Sequence, residues 1–86
     1  MNAEDLVSKY IAGADDVLRK MEREKGPITV TDQSIDEILG YIRAYLEDAK
    51  YYKDQKKFET SLTSIAYCEG LIDSLKLIGA VKIQSQ

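Results

Sequence analysis

The fold turns on the stretch Ile35-Asp36-Glu37-Ile38-Leu39-Gly40-Tyr41-Ile42-Arg43-Ala44-Tyr45-Leu46-Glu47-Asp48-Ala49. Ile35, Ile38, Leu39, Ile42, Leu46 and Ala49 recur at three- and four-residue steps, the period of an α-helix with one buried stripe. Tyr41, Tyr45 and Tyr52 follow one flank of it. Two starts compete for this helix. Ser34 with Glu37 reads as a capping box, whereas Thr31 as N-cap puts Val30 and Ile35 in staple positions and leaves Asp32 and Asp36 near the positive end of the dipole. Thr31 is the better start. Downstream, Lys50 and Lys53 suit a last turn, and Asp54 can cap a further helix that begins almost at once. A helix over about 32–53 therefore turns straight into one over about 55–78, as an antiparallel hairpin.

Gly79 stands where a left-handed residue ends that third helix, and it leaves Leu75 able to meet Ala80 or Val81 in a Schellman-type contact. Phe58, Leu62, Ile65 and Ala66 make one face of its first half. In the second half Tyr67, Cys68, Leu71, Ile72, Leu75, Leu77 and Ile78 spread almost around the cylinder, more than a three-helix bundle buries. The surplus arc of Tyr67, Leu71, Leu75 and Ile78 is either covered by Val81 and Ile83 of the tail (80–86) or presented to a partner.

Upstream, Leu6, Val7, Tyr10, Ile11, Ala14, Val17, Leu18 and Met21 fill an arc of about 140° on a helix over about 3–25, wide enough to touch two neighbours. Asn2 is its N-cap, Met1 and Leu6 are staple positions, and Gly26-Pro27 stops it. Ile28 and Val30 are expected to turn inward as the chain crosses the bundle end. The sum is one all-α domain over 1–86, a three-helix up-down-up bundle.

Composition narrows the function. The 86 residues hold no histidine and one cysteine, which removes His-dependent nucleophile arrangements, imidazole zinc sites and an internal disulfide. Twelve basic side chains against fifteen acidic ones give a net charge of -3, which disfavours a general affinity for nucleic acid or anionic lipid. No apolar run is long enough to span a membrane, and the acidic start Met1-Asn2-Ala3-Glu4-Asp5 is unlike a signal peptide. A cytoplasmic protein with no cofactor is expected. The five glycines are isolated, so no phosphate-binding loop can be built.

Several constellations remain, each with an ordinary structural explanation beside it. Ala66, Gly70 and Ser74 form a stripe of small side chains that would admit another helix, either internally against the first helix or from a partner. Glu69 and Asp73 lie partly on the line continued from Phe58, Leu62 and Ile65, where carboxylates need partners such as Lys76, Arg43, Tyr45 or Tyr52. A carboxylate metal site there lacks the Glu-x-x-His pairs of di-iron bundles. Lys50 to Lys57 carries four lysines against Asp54, beside Tyr51, Tyr52 and Phe58. Lys53, Lys56 and Lys57 are candidate anion ligands, although such a cluster also serves simply to keep a hairpin tip solvated. Cys68 reads as a small buried hydrophobe.

Tyr51-Tyr52, Ser61-Leu62, the run Ser64 to Asp73 with its Tyr67-x-Glu69-Gly70-Leu71-x-Asp73 core, and Leu77-Ile78-Gly79 resemble an archaeal domain-of-unknown-function family, numbered 357. The resemblance covers mainly the second and third helices. It implies a small three-helix bundle with no assigned activity and no site residues to carry over, and it places glycine near the hairpin turn where this chain has Lys56 and Lys57. The function expected is non-catalytic: a helical module that self-associates, as a homodimer, or docks on a protein partner through Tyr67, Leu71, Leu75 and Ile78. The alternative is a weak phosphate or RNA contact at the lysine tip.

Overall fold

A computed structural model describes residues 2–84, and within them the chain is all-α: α1 (Ala3–Lys20), α2 (Asp32–Asp54) and α3 (Phe58–Leu77). The expected three-helix, all-α class holds. The capping chemistry at two helix starts is also as the sequence implies. Asn2 Oδ1 accepts from the Asp5 amide at 2.8 Å, and the Asp5 carboxylate accepts back from the Asn2 amide. Thr31 Oγ1 accepts from the Ser34 amide at 3.1 Å, so Thr31 and not Ser34 begins α2. The staple proposed for Met1 lies outside the described residues.

α2 and α3 form the packed unit. Ile42 from α2 and Cys68 and Leu75 from α3 are its buried centre, with Ile38, Leu39, Tyr45, Ile65, Leu71 and Ile72 half-buried around them. Ser61 Oγ donates to the Ala49 carbonyl at 2.6 Å, a polar tie across the two helices near the tip.

The turn between α2 and α3 differs from expectation. Asp54 does not cap α3; it is the last residue of α2, and α3 starts at Phe58 behind Lys57, with no side-chain cap. The cause is a Schellman turn. The Lys57 amide donates to the Tyr52 carbonyl at 2.8 Å and the Lys56 amide to the Lys53 carbonyl at 3.0 Å, with Lys56 in the left-handed region at φ 61°. The same motif closes α3: Ala80 donates to Leu75 at 2.9 Å and Gly79 to Lys76 at 3.1 Å, with Gly79 at φ 75°. That second turn folds the tail back, and Ala80 and Val81 pack on the Ile42–Cys68–Leu75 core.

α1 is where packing departs from the expected bundle. No Cα of α1 comes within 8 Å of a Cα in α2 or α3, and its apolar stripe is exposed from end to end. It also stops at Lys20 and not near residue 25, because Met21 is already extended (ψ 129°). A helix held by its own caps and by Asp16–Lys20 and Asp16–Arg19 ion pairs has no packing to sustain a further turn into Gly26-Pro27. Ile28 and Val30, expected inward, are exposed for the same reason.

The result is an open molecule. Its radius of gyration is 16.0 Å, against about 12 Å for a compact chain of this length. Its accessible surface is 7850 Å², against about 5,100 Å² for a folded monomer of this mass. The difference is as large as the area a stable protein–protein interface removes from water.

Candidate functional site

At about 100° per residue, the side chains of α2 and α3 divide into those facing the partner helix and two flanks, and antiparallel pairing puts like flanks on the same side of the hairpin. Two faces result. Each joins residues from both helices.

The first is a tyrosine face. The rings of Tyr45 and Tyr67 pack across the hairpin with centroids 4.4 Å apart and planes at 40°. Tyr41, one turn before Tyr45, donates its hydroxyl to Glu37 Oε1 at 3.2 Å. That hydrogen bond, reinforced by the Glu37 charge, raises the phenol pKa above its ordinary value, so the ring stays a neutral, tethered donor. Leu71 and Ile78 continue the same face along α3.

The expected partner arc is thereby divided. Tyr67 (54% exposed) and Ile78 (61%) are open, and Leu71 is half-buried against the core. Leu75 does not belong with them. At 1% exposure it is the most deeply buried side chain of the hairpin, because its direction on the cylinder points at Ile42 and the returning tail covers it from the end. The tail thus covers Leu75 and leaves Tyr67 and Ile78 open. The sequence placed Tyr41 and Tyr45 on one flank of α2, but only the rotation of α3 against α2 brings Tyr67 beside them.

The second is an aliphatic face. Leu39 and Leu46 of α2 stand beside Phe58, Leu62, Ile65 and Ile72 of α3. Phe58 (63%) and Leu62 (68%), expected to be buried, are exposed because no third helix lies on them. Toward the open end Leu39, Ile42, Ile72 and Leu75 floor a groove walled by Val81 and Ile83, with Arg43 at its rim. On α3 the polar rim of the face carries Glu69, Asp73 and Lys76. Glu69 and Asp73 are exposed there and make no ion pair among the described residues, so the expected structural network does not form and solvent replaces it.

The remaining candidates separate cleanly. Ala66, Gly70 and Ser74 face solvent, an added Cβ at Gly70 would meet nothing within 4 Å, and Ser74 Oγ is turned back onto the Gly70 carbonyl at 2.9 Å. The stripe therefore receives no helix in this arrangement. Lys56 and Lys57 line an open recess at the tip together with Phe58, Glu59 and Thr60, while Lys53 stays on the last turn of α2. Glu59 already supplies negative charge to that helix start. Cys68 is buried, as its pattern suggested. Among the described residues no group of three or more His, Cys, Asp or Glu is placed to hold a metal ion, and no helix is long and apolar enough to cross a membrane.

A family model described as a protein of unknown function (DUF357) matches residues 9–81, which takes in most of α1 as well as the hairpin. Neither the comparison with curated proteins nor that with solved structures gives a match.

Proposed function

Since the chain belongs to the DUF357 family, to which no activity is attached, we propose from its surfaces that it is a non-catalytic helical protein-interaction module working through the tyrosine face of the hairpin. The observation that carries the reading is the Tyr45–Tyr67 ring pair, 4.4 Å apart and contributed by two different helices. Rings braced in this way offer large, amphipathic contact area while little side-chain freedom is left to lose on binding. Tyr41, tethered to Glu37, and the open Ile78 extend that area. A second copy of the chain is the simplest occupant, since a two-fold interface lets one face meet itself.

The test is solution mass by light scattering over a hundredfold concentration range. The native chain is expected to rise toward twice its mass. Tyr67→Gln with Ile78→Ser should weaken that association at least tenfold while the helical circular dichroism is unchanged. Association that survives both substitutions assigns it to another surface and removes this reading.

A second reading places a phosphate or RNA contact at the tip. It is favoured by the start of α3, where the amides have no side-chain cap and Lys56 and Lys57 stand beside them. A short single-stranded RNA should then shift the amide resonances of residues 56–60 at low salt, with the shift lost as salt is raised and lost in Lys56→Gln/Lys57→Gln. Unmoved resonances at about 20 mM salt, where screening is weak, end it.

A further inference from the structure

At the open end of the hairpin the chain sets a concave apolar surface beside an unpaired charge. Leu39, Ile42, Ile72 and Leu75 floor this groove, Val81 and Ile83 wall it, and Arg43 is the one polar side chain among the described residues that line it. We propose that the groove binds the straight aliphatic chain of a singly charged carboxylate, with the Arg43 guanidinium taking the carboxylate at the rim. The groove lies opposite the tyrosine face, so this inference does not depend on the interaction reading above.

The tail makes the groove. The turn at Gly79 folds the chain back over the end of α3, the Ala80 amide donating to the Leu75 carbonyl at 2.9 Å, and Val81 and Ile83 follow as the wall. The space enclosed is about 260 Å³, just under the roughly 300–1,000 Å³ of pockets that hold drug-sized ligands, and suits one slender chain better than a ring system. Leu39 and Ile72 are only half-buried and Ile83 is exposed, so an occupant removes apolar area from water on floor and wall together.

The lining selects the body of the ligand. Apart from Arg43 its described residues are all aliphatic. A peptide or a sugar would bring amides or hydroxyls against side chains that offer them no partner, at a desolvation cost, whereas an alkyl chain brings none. Nor is there an aromatic ring among them to serve as a stacking platform for a base.

Arg43 selects the head. Among the described residues it makes no ion pair, and a guanidinium meets a carboxylate through two parallel hydrogen bonds. The charges around it limit what that head can be. By the 100° rule Asp36 shares the flank of α2 with Arg43, while Glu69, Asp73 and Lys76 edge the facing flank of α3. Lys82 stands on the tail between the two wall residues, and Lys50 is paired with Glu47. Arg43, Lys76 and Lys82 thus balance Asp36, Glu69 and Asp73, which leaves no surplus of positive charge for a doubly charged phosphate. One negative charge in direct contact with Arg43 needs no such surplus.

The experiment titrates decanoate, decanol and acetate into the full chain at neutral pH and low salt, below the concentration at which decanoate forms micelles, and follows the backbone amide resonances. Decanoate should shift the amides of residues 39–43, 72–75 and 80–83, and acetate should move none. Decanol should bind at the same residues about tenfold more weakly, since it lacks the charge. Arg43→Gln should reduce decanoate to the affinity of decanol, and Ile83→Ser, which opens the wall, should weaken both. Both side chains are exposed, so the helical circular dichroism of the variants should match that of the parent, and the decanoate–decanol difference on the unaltered chain needs no variant at all. Groove amides that decanoate leaves unmoved, as when α1 or a second copy fills the groove, overturn the proposal. So do shifts centred on Phe58 and Leu62, decanol bound as tightly as decanoate, or undiminished decanoate binding by Arg43→Gln.

Discussion

Leu75→Ala is expected to lower the unfolding free energy by about 2–5 kcal/mol, the range for truncating a fully buried leucine that leaves a cavity behind. Leu75 is 1% exposed and sits where α2, α3 and the returning tail meet, so its loss removes contacts with Ile42 and with Ala80 and Val81 together. Small domains are stable by only several kcal/mol, and this core has three buried members. A large part of the stability therefore rests on one side chain. Urea unfolding followed by circular dichroism measures it. Leu77→Ala, two residues on and 87% exposed, is the control and should move the midpoint by no more than about 0.5 kcal/mol equivalent. Equal effects at the two positions would mean that Leu75 is not the core residue described, and the arc of Tyr67, Leu71, Leu75 and Ile78 would then stand as one surface.

The second large effect concerns the two left-handed residues. Gly79→Ala should cost about 1 kcal/mol, since a side chain at φ 75° crowds its own backbone. An added Cβ there would touch nothing within 4 Å, so the cost is conformational and free of collision. Lys56→Gly should move stability the other way, by about 0.5–1 kcal/mol, because it removes the same strain at φ 61° in an equivalent turn. Opposite shifts of the urea midpoint are expected. A Lys56→Gly protein no more stable than the parent would mean that the lysine side chain contributes more than its backbone strain costs.

Much of the local structure was written in the order of residues. Asn2 and Thr31 announce the starts of α1 and α2, Gly79 announces the end of α3, and the step pattern from Ile35 to Ala49 announces α2 itself. These signals are legible because caps and stripes involve residues within four positions of each other. The tip was misread for a physical reason. Asp54 is an acceptable N-cap, but three residues from Gln55 to Lys57 are needed to complete the Schellman turn, and lysine in the left-handed region has no sequence signature of its own. The candidate face was half legible. Tyr67, Leu71, Leu75 and Ile78 read as one arc, either covered by the tail or presented to a partner, and Leu75 was wrongly joined to the open Tyr67 and Ile78, because a helix apolar on nearly all sides gives no period from which to choose its buried direction.

By itself, then, the sequence determined that the chain is all-α with three helices, that α2 and α3 form a hairpin, that Cys68 is a buried hydrophobe, and that it carries no histidine-based chemistry. Each follows from short-range patterning or from composition. Only the tertiary structure decided which flank of α3 faces α2, hence that Tyr67 stacks on Tyr45 while Leu75 becomes core, and that the tail closes over Leu75 while α1 stands clear of the hairpin. Those outcomes depend on how cylinders rotate and dock, through contacts among residues far apart in the chain, and a stripe announces that it will be buried without naming what buries it.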